Sequence, residues 1–334
     1  MITNTETKVS VDTEKCRELA AVLCHWKIPE DREDTTLPDF DRLQIGNFYL
    51  LLVAISHQTS PRGRVPLEGE IGGRRLRGWD YLLAKLEQAA VAQPRLLLPK
   101  SWQKITETEL LEIFGPSLSG IPQRTELIHD LGEIMVQNDW SWLEDLYEQS
   151  KGRIALGSPN LVELLARFRA YSDPVRKKTF FLLALMRNTG LWVYIDTENL
   201  GPPVDYHEIR GHLRIGTVQI TDPSLESKLR LEQRVSASDD IEIRTAVREA
   251  IMLVSETSGI RNPSQLHYLF WNVFRSHCTR ESPNCQGTRE SSLPERYRNF
   301  AYIHGEGSCP FSSICRSVAC SDKLQEHVFE TEYY

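Results

Sequence analysis

The chain has 334 residues, 40% of them hydrophobic and 25% charged, which is the profile of a globular protein with enough material for a sizeable core. Its net charge of -7 and pI near 5.8 exclude a protein-wide positive field for nucleic acid, so any such contact must come from a local patch. No apolar run approaches the roughly 20 residues of a membrane span, and the opening MITNTETKVSVDTEK is polar with no signal-peptide core. The expectation is a cytoplasmic protein with no membrane partner.

Helical periodicity begins with CRELAAVLCHW, continues in FYLLLVAISHQ, apolar enough for a buried helix, and reappears in WDYLLAKLEQAAV. Between the last two lies SPRGRVPLEGEIGGRRLRGWD, where alternation on both sides of Gly72 and Gly73 predicts a small hairpin. It carries Arg62, Arg64, Arg74, Arg75 and Arg77, either a phosphate-binding patch or an ordinary solvated hairpin. ITETELLEIFG opens with Thr106 and has Glu109 three residues on, a capping-box pattern, and stops at Gly115. RTELIHDLGEIMVQ, SWLEDLYEQS, NLVELLARFRAY and KKTFFLLALMRN follow as helices. Two more, DDIEIRTAVREAIMLVSET and NPSQLHYLFWNVFRSHC, lead into the last segment. No linker is long enough to cut the chain into independent domains.

From Cys278 the periodicity stops. The spacing is Cys278-x6-Cys285-x23-Cys309-x5-Cys315, with Cys320 beyond. Five of seven cysteines crowd into this polar stretch, which suits a local metal site in a reducing compartment better than a disulfide framework. Four thiolates can hold an iron-sulfur cluster. Zinc also accepts four thiolates, though the C-x2-C knuckles of zinc ribbons are missing.

The x6 and x5 gaps resemble those of the iron-sulfur loop in the helix-hairpin-helix base-excision DNA glycosylases, whose usual middle gap of two is here twenty-three. The segments YSDPVRKKTFFLLALM and GPPVDYHEIRGHLRIGTV are similar to the core of the same superfamily. That resemblance implies Lys178 as the Schiff-base lysine, with Lys177 its neighbour, and Asp205 as the catalytic aspartate, with Arg210 matching the motif arginine. Pro174 and Arg176 stand where the family's hairpin has glycines. HQTSP, containing Gln58, looks like the glutamine turn that such enzymes insert at a flipped base, or else a polar helix end. Breaking an N-glycosidic bond makes an oxocarbenium-like sugar, which calls for a carboxylate near the anomeric carbon, and a desolvated lysine could attack that carbon directly. Asp205 after Pro-Pro-Val also reads as a helix N-cap.

Roughly residues 45 to 257 also look like the queuosine salvage N-glycosylases, with Asp205 again matching the catalytic aspartate and Asp173 and Lys178 matching pocket residues. Trp79, Tyr206 and Tyr171 are candidates to stack a large base. Taken together, the resemblances imply an all-α, helix-hairpin-helix glycosylase-like helical fold with a small inserted β-hairpin and a C-terminal iron-sulfur loop. Residues 1–277 would form the helical body, with the hairpin at about 62–78, and residues 278–334 the cysteine-rich loop and tail. The cofactor would be a 4Fe-4S cluster on Cys278, Cys285, Cys309 and Cys315, with zinc as the alternative and Cys320 a possible replacement ligand. The expected activity is a DNA N-glycosylase, with lyase activity if the lysine attacks, acting on DNA that contains a modified or damaged base. The alternatives are an N-glycosidase acting on a free modified nucleotide and a non-catalytic nucleic-acid-binding helical module.

Overall fold

The structure, a computed structural model, describes residues 7–29, 40–59, 65–260, 262–287 and 293–334. Helix makes up 55% of the described residues and strand 5%, so the helical class and the small hairpin both hold. The chain divides into two compact units, Met1–Asp31 with Leu200–Glu330 and Arg32–Asn199 with Thr331–Tyr334. This division differs from a body of 1–277 and a separate tail of 278–334. The cysteine-rich segment packs into the same unit as the first helix and Asp205. Periodicity marks which face of a helix is buried but not which distant segment covers it.

In the unit that carries Lys178, the Arg42–Ile55 helix is buried from Ile45 through Ile55. It starts at Asp41, whose side chain accepts from Gln44 N while the Gln44 side chain returns to the Asp41 backbone. The buried polar residue Asn47 is fully used, donating to Leu97 O at 2.9 Å and Ser141 O at 3.0 Å and accepting from Leu143 N at 2.8 Å. The hairpin pairs Glu68–Ile71 with Arg74–Arg77 in antiparallel register, Glu68 opposite Arg77. Gly72 and Gly73 at its tip have φ of +58° and +74°, which only glycine takes without strain. Thr106 and Glu109 form the expected capping box of the Glu107–Phe114 helix, and Gly115 ends it.

In the unit that carries Asp205, Val9–Val11 pairs antiparallel with Val218–Ile220, and the Thr13–Leu23 helix packs on Ala237–Ser258. The Tyr206–Ile215 helix crosses Pro263–Ser276. Gly211 sets how close that crossing is: a Cβ there would lie 2.2 Å from the Phe274 ring. The core around the crossing includes Leu213, Ile251, Leu269, Phe270, Phe274 and Phe311.

Candidate functional site

Asp205 is the N-cap of the Tyr206–Ile215 helix, as its position after Pro-Pro-Val suggested. One carboxylate oxygen accepts from His207 N at 2.8 Å. The other accepts the Trp271 indole N–H at 2.7 Å. A donor on each oxygen fixes the direction of the carboxylate. Asp205 is 9% exposed. Glu208 reaches back to the Asp205 backbone N–H at 3.1 Å, and its other oxygen lies 2.9 Å from His267 Nδ1. Asp205 therefore sits in a held frame of side chains rather than on a loose helix end.

Next to it, Tyr206 packs its ring on His207, with centroids 4.2 Å apart, and burial pushes its hydroxyl up to about 12. Burial also pushes His207 well below the usual histidine range, helped by the charges of Arg210, Arg275 and Arg280. Arg210 is committed to bracing. Its guanidinium pairs with buried Glu326 at 2.7 Å, donates to Cys278 O at 2.6 Å and contacts His207 Nδ1 at 2.8 Å. This engagement leads from the Asp205 helix to the cysteine segment.

Cys278, Cys285, Cys309 and Cys315 line a single cavity, with Gly211, Arg214, Phe274, Phe311 and Lys323 among the other wall residues. Cys320 is exposed and is not among the residues lining it. The two halves of the segment are tied by Cys309 N donating to Cys285 O at 3.1 Å. Gly287 lies so close to Gly307 that a Cβ would come within 2.3 Å of its carbonyl oxygen. Burial raises the thiols of Cys309 and Cys285 and lifts Cys315 to about 11. Arg214 is 1% exposed and donates to Cys278 Sγ at 3.3 Å, Thr279 O at 2.8 Å and Leu324 O at 2.8 Å. Among the described residues no carboxylate forms an ion pair with Arg214. Among the same residues, no three His, Cys, Asp or Glu side chains form a group that could hold one metal ion.

The other unit holds Lys178. The neighbouring Lys177 points elsewhere, its amine over the Phe181 ring at 5.0 Å, while Lys178 is 0% exposed and donates to Ala54 O. Burial, then the charges of Lys177 and Arg124, push Lys178 well below the usual lysine range. Asp173 caps the turn before this helix, accepting from Lys177 N at 3.0 Å and Val175 N at 3.2 Å. Arg176 has φ of +65°, a backbone conformation more often taken by glycine. Trp79 packs edge-on to Phe181 with centroids 4.8 Å apart. Tyr171 is buried with its hydroxyl on Leu50 O at 2.7 Å, so it is a core residue rather than a stacking platform. Gln58 has φ of +45° and donates its backbone N–H to Tyr334 O at 3.2 Å.

Of the hairpin arginines, Arg75 and Arg77 are exposed and both pair with Glu68, and Arg74 is exposed. Arg62 and Arg64 lie outside the described residues. The structure thus gathers the four cysteines, and it gathers Asp205 with Tyr206, while Lys178, Asp173, Trp79 and Gln58 belong to the other unit. Trp271, Arg214, His57 and Arg124 escaped the sequence reading. Each acts through a partner far away in the chain, and no local pattern marks such a pairing. Comparison with models of known protein families returns no match for this chain, and no curated protein matches it.

Proposed function

We propose that the protein is an N-glycosidase that releases a modified base from DNA, with Asp205 as the carboxylate beside the anomeric carbon. The observation that carries this reading is the Tyr206–Ile215 helix. It begins at a carboxylate held by an indole and a backbone N–H, and its Gly211, Arg214 and Ile215 line the cavity of the four thiols. An oriented carboxylate in a largely buried site stabilises positive charge developing on the sugar and can orient an attacking water. A lyase branch independent of Asp205 would use Lys178 of the other unit, its lone pair bonding to the anomeric carbon as the base leaves with the electron pair of the broken bond and takes up a proton.

Cys278, Cys285, Cys309 and Cys315 would hold a 4Fe-4S cluster, and the donor set fits it. Four thiols share one cavity, and the buried Arg214 guanidinium lies against Cys278 Sγ, a counter-charge for an anionic cluster. When bound, the cluster supplies iron-thiolate bonds that organise a segment with little regular structure. Metal analysis of the purified protein decides between iron and zinc.

One observation favours a free modified nucleotide instead: Glu68 ion-pairs with both Arg75 and Arg77 and offsets much of the hairpin's charge. The test of both readings is incubation with single-stranded and duplex DNA carrying assorted modified bases, and with the matching nucleotides. Abasic sites in DNA are expected, and they disappear in Asp205→Asn. Base release from nucleotides alone would remove the DNA reading.

A further inference from the structure

Where the Arg42–Ile55 helix ends, three nitrogen bases are buried together: Lys178 at 0%, Arg124 at 1% and His57 at 4% exposure. Among the described residues neither Lys178 nor Arg124 forms an ion pair with a carboxylate. Asp173 and Glu332 favour the charged lysine from further off. Glu332 is bound to Arg169 at 2.7 Å, and Asp173 caps the backbone ahead of the lysine helix. Against them stand Lys177 and Arg124. Burying cations without paired anions is costly unless one of them gives up its proton.

The hydrogen bonds indicate which one does. A guanidinium has only donors. Arg124 donates through Nη1 to Ile55 O at 3.0 Å and through Nη2 to His57 O at 2.6 Å. The same Nη1 lies 2.8 Å from His57 Nε2 and 3.1 Å from Nδ1. The nearer nitrogen is the better acceptor, which leaves the ring proton on Nδ1. That nitrogen faces Lys178 Nζ at 3.4 Å. An N–H directed at an amine needs a lone pair there, and only a neutral amine has one.

We propose that His57, with its tautomer set by Arg124, holds Lys178 as the free amine and is the positioning residue of that lysine. The inference rests on the reading of Lys178 as the nucleophile only for its purpose, not for its geometry. Charge at the site acts in the same direction. Burial and the charges of Arg124 and Lys177 push His57 well below its usual range, against a backbone hydrogen bond with Ala54 that raises it, so the ring is neutral and cannot act as a second cation.

The test is nuclear magnetic resonance on the whole protein, with 15N-labelled histidine and lysine labelled at Cε. Lys178→Arg and His57→Gln assign the two signals. The expected result at pH 7 is a neutral His57 with its proton on Nδ1 and a Lys178 signal in the amine position. Arg124→Gln should move the Lys178 titration up by at least one pH unit, which is about a tenfold drop in free amine below the titration point. A His57 proton on Nε2, an imidazolium, or a charged Lys178 at pH 7 in the unaltered protein would each overturn the inference, whether or not Arg124→Gln folds. Borohydride trapping on base-modified DNA addresses the nucleophile reading separately. No adduct alongside the expected spectra would reject the nucleophile and keep the inference, whereas an adduct alongside a charged Lys178 would do the reverse.

Discussion

Asp205 has two tasks that substitution can separate. It caps a helix, and its charge faces the proposed chemistry. Asparagine caps as well as aspartate does, while alanine removes the cap and costs about 1 kcal/mol. In Asp205→Asn the amide oxygen keeps the cap while the NH2 group faces the Trp271 N–H, so a cost of about 1–3 kcal/mol is expected, and abasic-site formation should fall by at least about 100-fold, the scale of losing one charge-stabilising group. Asp205→Ala should lose both. Thermal unfolding beside the cleavage assay checks this, and an active Asp205→Asn would remove Asp205 from the chemistry. The residue itself was legible in the sequence, because Pro-Pro-Val-Asp followed by a helical pattern marks a cap. Its indole partner was not. Trp271 sits in an apolar helix where a tryptophan reads as core, and only the fold turns its N–H toward Asp205.

At the scale of elements, the sequence was most informative where structure is local. The Thr106–Glu109 box, the glycine tip of the hairpin and the buried Arg42–Ile55 helix all follow from residues within a few positions of one another. Helix crossings are different, since they depend on two surfaces brought together from distant parts of the chain. Gly211 looks in the sequence like a weak point in a helix, which would cost roughly 1 kcal/mol relative to alanine. In the fold it is the contact point with Phe274, and a methyl group there would lie 2.2 Å from the ring. Gly211→Ala is expected to destabilise the protein by about 1–3 kcal/mol through overpacking, despite the better helix propensity of alanine. Because Gly211 and Phe274 both line the cysteine cavity, the same change should lower the metal content of the purified protein. Denaturant unfolding and metal analysis check the two effects. Unchanged stability with full metal loading would mean that the crossing relaxes freely and does not shape the cavity.

At the scale of the whole molecule, the acidic balance gives little guidance to stability, because the groups that matter are buried histidines. Burial, with no offsetting partner resolved, lowers His212 to about 3, and its Nδ1 lies 2.7 Å from Thr217 Oγ1. His207 and His57 are pushed well below the usual 6.5 for the reasons given above. All three bind a proton readily only when the chain unfolds. A histidine whose folded value is depressed makes the unfolded state the better proton binder as the pH falls below about 6.5, so stability is lost on the acid side. Each such group contributes a slope of up to about 1.4 kcal/mol per pH unit. His207 and His212 lie in the unit of Asp205 and His57 in the other, so both units should weaken between pH 6.5 and 5, before carboxylates begin to titrate. Urea unfolding at pH 7.5, 6 and 5 measures this loss, and His212→Gln should reduce the slope by close to one proton. A stability that stays flat down to pH 5 would mean that these rings take up protons within the folded state, and the buried settings of His57, His207 and His212 would have to be abandoned together.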